Sequence, residues 1–149
     1  MMNILLPVDG SEGSLAAARH VIQLLSEGLR GHVVLANVQE PASLYELVTA
    51  RDAQVIESVS EGAAVDSLAP AQKLLDAAGA DYESEVAHGD PARMLLDIAE
   101  RFECSLIVMG AHGAGDPRGR AHPGSIATAV LHGSISAAVT IVRQLPTSP

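Results

Sequence analysis

Asn3-Ile4-Leu5-Leu6-Pro7-Val8-Asp9-Gly10-Ser11 is an apolar run that stops abruptly at an Asp-Gly turn signal. Consecutive apolar positions without polar alternation fit a strand buried on both faces, as in a parallel sheet. Residues 3–8 are therefore predicted as a strand. Helical spacing follows at once, with Leu15, Ala18, Ile22 and Leu25 recurring three or four residues apart. Ser14 is suited to cap that helix, and Gly28 and Gly31 offer places to stop it.

The same alternation continues outward. Val33–Val38 is predicted as a second buried strand, closed by Pro41. Between residues 42 and 67, Leu44, Leu47 and Val48 suit one short amphipathic helix, and Val55, Val59, Ala63 and Leu68 the start of another. Pro70 has no N–H to give and is expected to kink or restart a helix passing through it. Helical character returns at Leu74, Leu75 and Ala78 and ends at Gly79, after which Tyr82, Ser84 and Val86 alternate with acidic neighbours. That alternation predicts a strand with one exposed face or an edge position. Gly89-Asp90-Pro91 is a helix start, since Asp90 can accept from first-turn amides and Pro91 has the φ preferred there. Leu95, Ile98, Ala99 and Phe102 give that helix its inner face. Leu106–Met109 is a further buried strand, Gly124-Ser125 opens a helix to about His132, and Ala138–Val142 is a last strand. Residues 1–145 form one domain and residues 146–149 a flexible tail. Strands separated by helices predict an α/β fold, a mostly parallel sheet covered on both faces, whose strand order the sequence does not give.

Composition narrows the function classes. The chain has 149 residues, 48% of them hydrophobic but only 2% aromatic, so its core is built from Ala, Val, Leu and Ile. Net charge is −9 and Lys73 is the sole lysine, which opposes a nucleic-acid surface without forbidding one small anion held by backbone amides. One cysteine, Cys104, forms no internal disulfide and sits in an apolar approach to a strand, where burial rather than reactivity is expected. No basic-then-apolar leader and no long apolar span stand in the sequence, so a cytoplasmic protein without membrane partners is expected. The histidines 112, 122 and 132 recur every ten residues, a spacing that suits no zinc site. Neither a P-loop nor a Gly-x-Ser-x-Gly elbow occurs.

Chemistry is expected at two turns, because ligands of open parallel sheets bind beyond the C-terminal strand ends where connections diverge. One is Pro7-Val8-Asp9-Gly10-Ser11; the other is Met109-Gly110-Ala111-His112-Gly113, with Gly124-Ser125 beyond it. Glycines there allow close approach of amides to phosphate oxygens, and a helix start at Ser125 adds N–H donors and the positive dipole end. Asp9 could accept from a ribose hydroxyl or a base amino group, and Arg118 and Arg120 could meet phosphate. Plainer roles also fit: Asp9 as a turn residue, Gly110 and Gly113 as a tight strand end, Ser125 as a cap, the arginines as solvated charges.

These segments, in this order and with Gly89-Asp90-Pro91 between them, resemble the universal stress protein family over essentially the whole chain. The resemblance implies a doubly wound, five-stranded parallel sheet of order 3-2-1-4-5, of the adenine-nucleotide alpha-hydrolase-like type. In members resembling the ATP-binding branch the motif is Gly-x2-Gly-x9-Gly-Ser/Thr, matched here by Gly110, Gly113, Gly124 and Ser125. The resemblance assigns Pro7, Val8 and Asp9 to the adenosine end and the main chain of Val38 to adenine. Met109, His112 and Ile126 complete the implied contacts. It implies ATP, or AMP or ADP, as ligand with Mg2+ as companion, and a homodimer joined through strand 138–142; with no general base or positioned lysine visible in the sequence, at most slow ATP hydrolysis is expected. The chain departs from the family in having ten residues between Gly113 and Gly124, and in carrying Ser105 and Asn37 where Asp and His are common. Two further readings stay open: a structural or interaction protein that keeps the fold and dimer without nucleotide, and an enzyme of adenylyl-transfer type.

Overall fold

The computed structural model describes residues 1–40, 53–112 and 124–144, with backbone only over 53–60. Its elements are β1 (Met2–Pro7), α1 (Glu12–Ser26), β2 (Gly31–Gln39), α2 (Ala53–Ala77), β3 (Tyr82–His88), α3 (Pro91–Arg101), β4 (Leu106–Gly110), α4 (Ser125–Gly133) and β5 (Ala138–Val142). All neighbouring strands run parallel, in the order β3-β2-β1-β4-β5. The expected strand-and-helix alternation and the order implied by the resemblance are both present.

Alternation along the central strands sends side chains to two cores. Ile4, Leu6, Val8, Val33, Leu35 and Val108 meet Ala17, Ala18 and Val21 of α1 and Leu68, Ala71 and Leu75 of α2. On the other face Leu5, Val34, Ala36, Ile107 and Met109 meet Leu95, Ile98 and Ala99 of α3 and Ala127 and Val130 of α4. Cys104 belongs to this second core, and burial pushes its thiol up to about 11. No helix among the described residues is long and apolar enough to cross a membrane.

Several local expectations are corrected. Ser11, not Ser14, caps α1: its backbone is extended and its Oγ accepts from Ser14 N at 3.2 Å. The chain must leave the Asp9-Gly10 turn before coiling, and Ser11 is the first residue past the left-handed Gly10 (φ +84°). Gly31 starts β2 rather than ending α1, and a Cβ there would strike Ile4 Cδ1 at 2.7 Å. Pro70 lies inside α2, so of the two expected outcomes a restart of the helix does not occur. Its missing N–H deprives Asp66 O, four residues earlier, of the usual helical donor. Packing of Leu68, Ala71 and Leu75 into the first core supplies the compensation that sequence propensity cannot show. Val86 of β3 is exposed whereas Ala87 is buried, so the buried face of that edge strand is offset from the one its alternation suggested. Pro41, residues 42–52 and the 146–149 tail lie outside the described residues.

At the N-terminal end of the sheet, β2 and β3 are joined by an ionic clamp. Nδ1 of His32 lies 2.9 Å from Asp81 Oδ2 and Nε2 lies 2.7 Å from Glu83 Oε2. A neutral imidazole has one N–H, so only the imidazolium donates to both carboxylates. Burial opposes the charge, but the hydrogen bonds to Asp81 and Glu83 and their Coulomb attraction outweigh it and raise the pKa above 6.5. A raised folded-state pKa gives stability that is fully present below the unfolded value and lost as pH rises through the folded one. The melting-temperature advantage of the wild type over His32→Gln should therefore be largest below pH 6.5 and shrink as the pH is raised above it. Parallel thermal melts across that range check it, and an advantage that grows with pH would contradict the clamp.

Candidate functional site

The first turn is organised by β1 leaving the sheet. Val8 N donates to Ala36 O at 2.8 Å, tying the end of β1 to β2. Asp9 is exposed, and its Oδ1 accepts from Ser11 N at 2.9 Å, closing a turn around Gly10. A Cβ on Gly10 would touch Ser67 Cα at 3.4 Å, so α2 packs directly against this turn. Ser11 O then accepts from Ser14 Oγ and Leu15 N, anchoring the first turn of α1.

The second turn leaves β4. Met109 is buried in the second core, and Ala111 N donates to Val142 O at 3.0 Å, tying the turn to β5. Ala111 O accepts from Gly124 N at 2.6 Å, so the start of α4 is fastened to the end of β4. Gly124 is the N-cap and is extended, with no side chain to bond the following amides. In contrast, Ser11 and Asp90 cap α1 and α3 through their side chains. The amides after Gly124 thus keep their donor capacity and the positive end of the helix dipole. Ser125 and Ile126 are exposed beside them.

Gly13 brings the turns together. The β1–β4 ladder pairs only Ile4 with Leu106 and Leu5 with Ile107. Beyond it, the first turn of α1 lies against the end of β4. A Cβ on Gly110 would sit 2.6 Å from Gly13 O, and a Cβ on Gly13 would sit 2.4 Å from His112 O. Backbone meets backbone there, at a separation that only glycine allows. This is also where strand order reverses, between β1 and β4.

Pro7, Val8, Asp9, Val38, Met109, Gly110, His112, Gly124, Ser125 and Ile126 all fall at the C-terminal strand ends or the start of α4. Gly110, His112 and Gly124 are joined to their surroundings as just described, whereas Val38 stands one strand away, packed toward the second core. Gly113, Arg118 and Arg120 lie outside the described residues. Sequence reasoning missed Gly13, although a glycine inside a helix is a departure from propensity that asks for a packing reason. It noted Asn37 only as a departure. Asn37 is 2% exposed, and its Nδ2 donates to Val8 O at 2.9 Å, fixing the peptide that precedes Asp9.

A family model described as the Universal stress protein family matches residues 1–143. A curated relative, universal stress protein MJ0531 of Methanocaldococcus jannaschii, is 28% identical over 110 residues, covering 74% of this chain and 64% of its own length. The solved structure of hypothetical protein MJ0577 superposes with a TM-score of 0.79 at 21% identity, covering 98% of each chain. A universal stress protein in complex with cAMP gives 0.65 at 26% identity, over 95% of this chain and 96% of its own. An Arabidopsis thaliana family protein with AMP bound gives 0.68 at 10% identity, over 97% and 93%.

The glycine contact makes a prediction with a built-in control. Gly→Ala in a helix ordinarily gains about 0.5–1 kcal/mol, and Gly62→Ala in α2, with open space around it, should do so. Gly13→Ala should instead cost about 1–3 kcal/mol, because the His112 carbonyl must move. Urea unfolding of both variants measures the sign.

Proposed function

This chain belongs to the universal stress protein family, and from that premise we propose that the corner between β1 and β4 binds an adenine nucleotide and that the protein acts as a cytoplasmic, dimeric stress-response regulator. The observation that carries the proposal is the glycine-mediated approach of α1 to β4 beside an α4 start whose amides have no side-chain cap. Phosphate oxygens suit those amides, and the Asp9 carboxylate suits a ribose hydroxyl. The cAMP-bound and AMP-bound structural neighbours support the ligand class. In this assignment Pro7, Val8, Asp9 and the Val38 main chain serve the adenosine end. Met109, Gly110, His112, Gly113, Gly124, Ser125 and Ile126 serve the phosphates, with ATP, ADP or AMP as occupant. The oxygen donors of Asp9 and Ser125 are of the hard type that Mg2+ takes.

Binding rather than turnover is the proposed output. Phosphoryl transfer requires a positioned base or water and stabilisation of the leaving phosphate, and Lys73, the sole lysine, lies on α2 rather than at the strand ends. The dimer would form through β5, an edge strand reading Ala138-Val-Thr-Ile-Val142 with neither Pro nor Lys to discourage pairing. Leu131 is half-exposed and Ile135 fully exposed just before it, which suits cover by a second copy.

Titration of the purified chain with ATP, ADP, AMP and cAMP should give at least one Kd tighter than millimolar, and Ser125→Ala should weaken it by about three- to tenfold. No binding by any of the four, together with no nucleotide in native mass spectra of freshly purified protein, would favour the interaction-protein reading instead. Thr140→Pro should convert dimers to monomers or aggregates in sedimentation, and an unchanged dimer would reject β5 as the interface.

A further inference from the structure

Among the described residues only two polar side chains are buried, Asn37 of β2 and Ser14 of α1, and they grip one turn from its two ends. Asn37 Nδ2 donates to Val8 O at 2.9 Å, and Ser14 Oγ donates to Ser11 O at 2.9 Å. Val8 lies one residue past β1, and Ser11 is the residue before α1. A carbonyl only accepts, so Val8 O obliges Asn37 to present its NH2 group, and Asn37 Oδ1 accepts in turn from Gln39 Nε2. The segment between the held carbonyls is Asp9-Gly10-Ser11, closed by Ser11 N donating to Asp9 Oδ1. Gly10, at φ +84°, leaves that segment more backbone freedom than any other residue type would. Its fixed shape therefore needs holds from outside. Burying an amide or a hydroxyl costs free energy unless it is paired, and apolar groups of the same shape serve a core as well. Placing both buried polar groups on one surface turn is explained by what the turn does, not by stability.

We propose that Asn37 and Ser14 are positioning residues for ribose recognition, holding the Asp9 turn so that its carboxylate accepts from the sugar hydroxyls of a bound nucleotide. The inference rests on the nucleotide-binding reading above and adds to it the residues that keep its Asp9 contact in place. The Val8 carbonyl and the Asp9 N–H share one planar peptide, so the Asn37 bond fixes the plane from which Asp9 departs. The Ser14 bond fixes the peptide that follows Ser11 in the same way. With both planes held, the Asp9 side chain has its backbone and its Ser11 N contact set before any ligand arrives. A carboxylate that had to be ordered on binding would lose part of its hydrogen-bond energy to that ordering. Ser14 also follows Gly13, where a Cβ would meet the His112 carbonyl at 2.4 Å, so the same hold references the Asp9 turn to the end of β4.

Calorimetry on the full chain compares AMP with its 2′,3′-dideoxy analogue, which lacks both sugar hydroxyls but keeps the base and the phosphate. The wild type should bind AMP about tenfold tighter, as expected of a hydrogen bond to a charged group. Asn37→Leu, similar in volume but without a donor, should narrow that preference to about twofold or less by weakening AMP alone. Ser14→Ala should narrow it part of the way. It leaves the Ser11 cap on Ser14 N in place and so carries the test should Asn37→Leu fail to fold. A role confined to stability would lower the affinity for both ligands together and leave their ratio unchanged. That result, or a full preference for AMP in both variants, would overturn the proposal. A wild type that binds the two ligands equally would overturn it as well, while leaving nucleotide binding intact. Failure of the wild type to bind either one would remove both readings together.

Discussion

The architecture depends on two backbones being allowed to touch. Gly110 at the end of β4 lies against the Gly13 carbonyl, and Gly13 lies against the His112 carbonyl, at distances no Cβ tolerates. The contact lets α1 leave β1 and cross at once onto β4, instead of standing off from the sheet by the width of a side chain. Ala17 and Ala18 continue the principle one turn later, where small buried residues keep the helix close to Leu6 and Val108. With almost no aromatic residues to fill space, such close approach keeps a purely aliphatic core dense. The corner between β1 and β4 follows from the same contact, because it carries the Asp9 turn and the His112 turn at a fixed separation.

The two edges of the sheet are treated differently. On β3, Glu83 and Glu85 project from the strand and are engaged by His32 and Arg101, and the interior ladder runs only toward β2. Charges so placed discourage another strand from adding there. β5 carries no comparable charge between Ala138 and Val142. One edge is closed by electrostatics and the other carries no charge along its strand.

How much of this was legible beforehand depends on the range of the forces involved. The strands around Leu5, Val34 and Ile107 could be read because burial on both faces leaves an unbroken apolar run. The α3 start could be read because Asp90 and Pro91 act within one turn, and Asp90 Oδ2 does accept from Arg93 N. Ser11 was missed as a cap because two serines compete within four residues and only the φ of Gly10 decides between them. At Pro70 the helix does not restart, because the cost of one lost helical bond is local, while its compensation comes from Leu68, Ala71 and Leu75 packing on a sheet distant in sequence. At the site, the turn glycines were visible as a pattern, but Gly13 and the Asn37 bond to Val8 join residues that become neighbours only when strands pair in the order β2-β1-β4. Strand order is not written in any local stretch, and contacts that require it are not either.

An acidic chain with a corner suited to an anion raises a question of field strength. Nine net negative charges oppose a phosphate at long range, yet exposed charges are screened over about 8 Å at physiological salt. The N–H groups at the start of α4 act at contact distance, where no counterion intervenes. Attraction therefore has to come from oriented main chain, and main chain can be oriented tightly only if its supports are rigid. Ala111 supplies that rigidity: its carbonyl holds Gly124 N and its own N–H is held by Val142 O, so the amides of α4 are referenced to β4 and β5 at once. Lysine, flexible and strongly hydrated, would give a stronger pull with less direction. Dipoles held this firmly act on shape before charge.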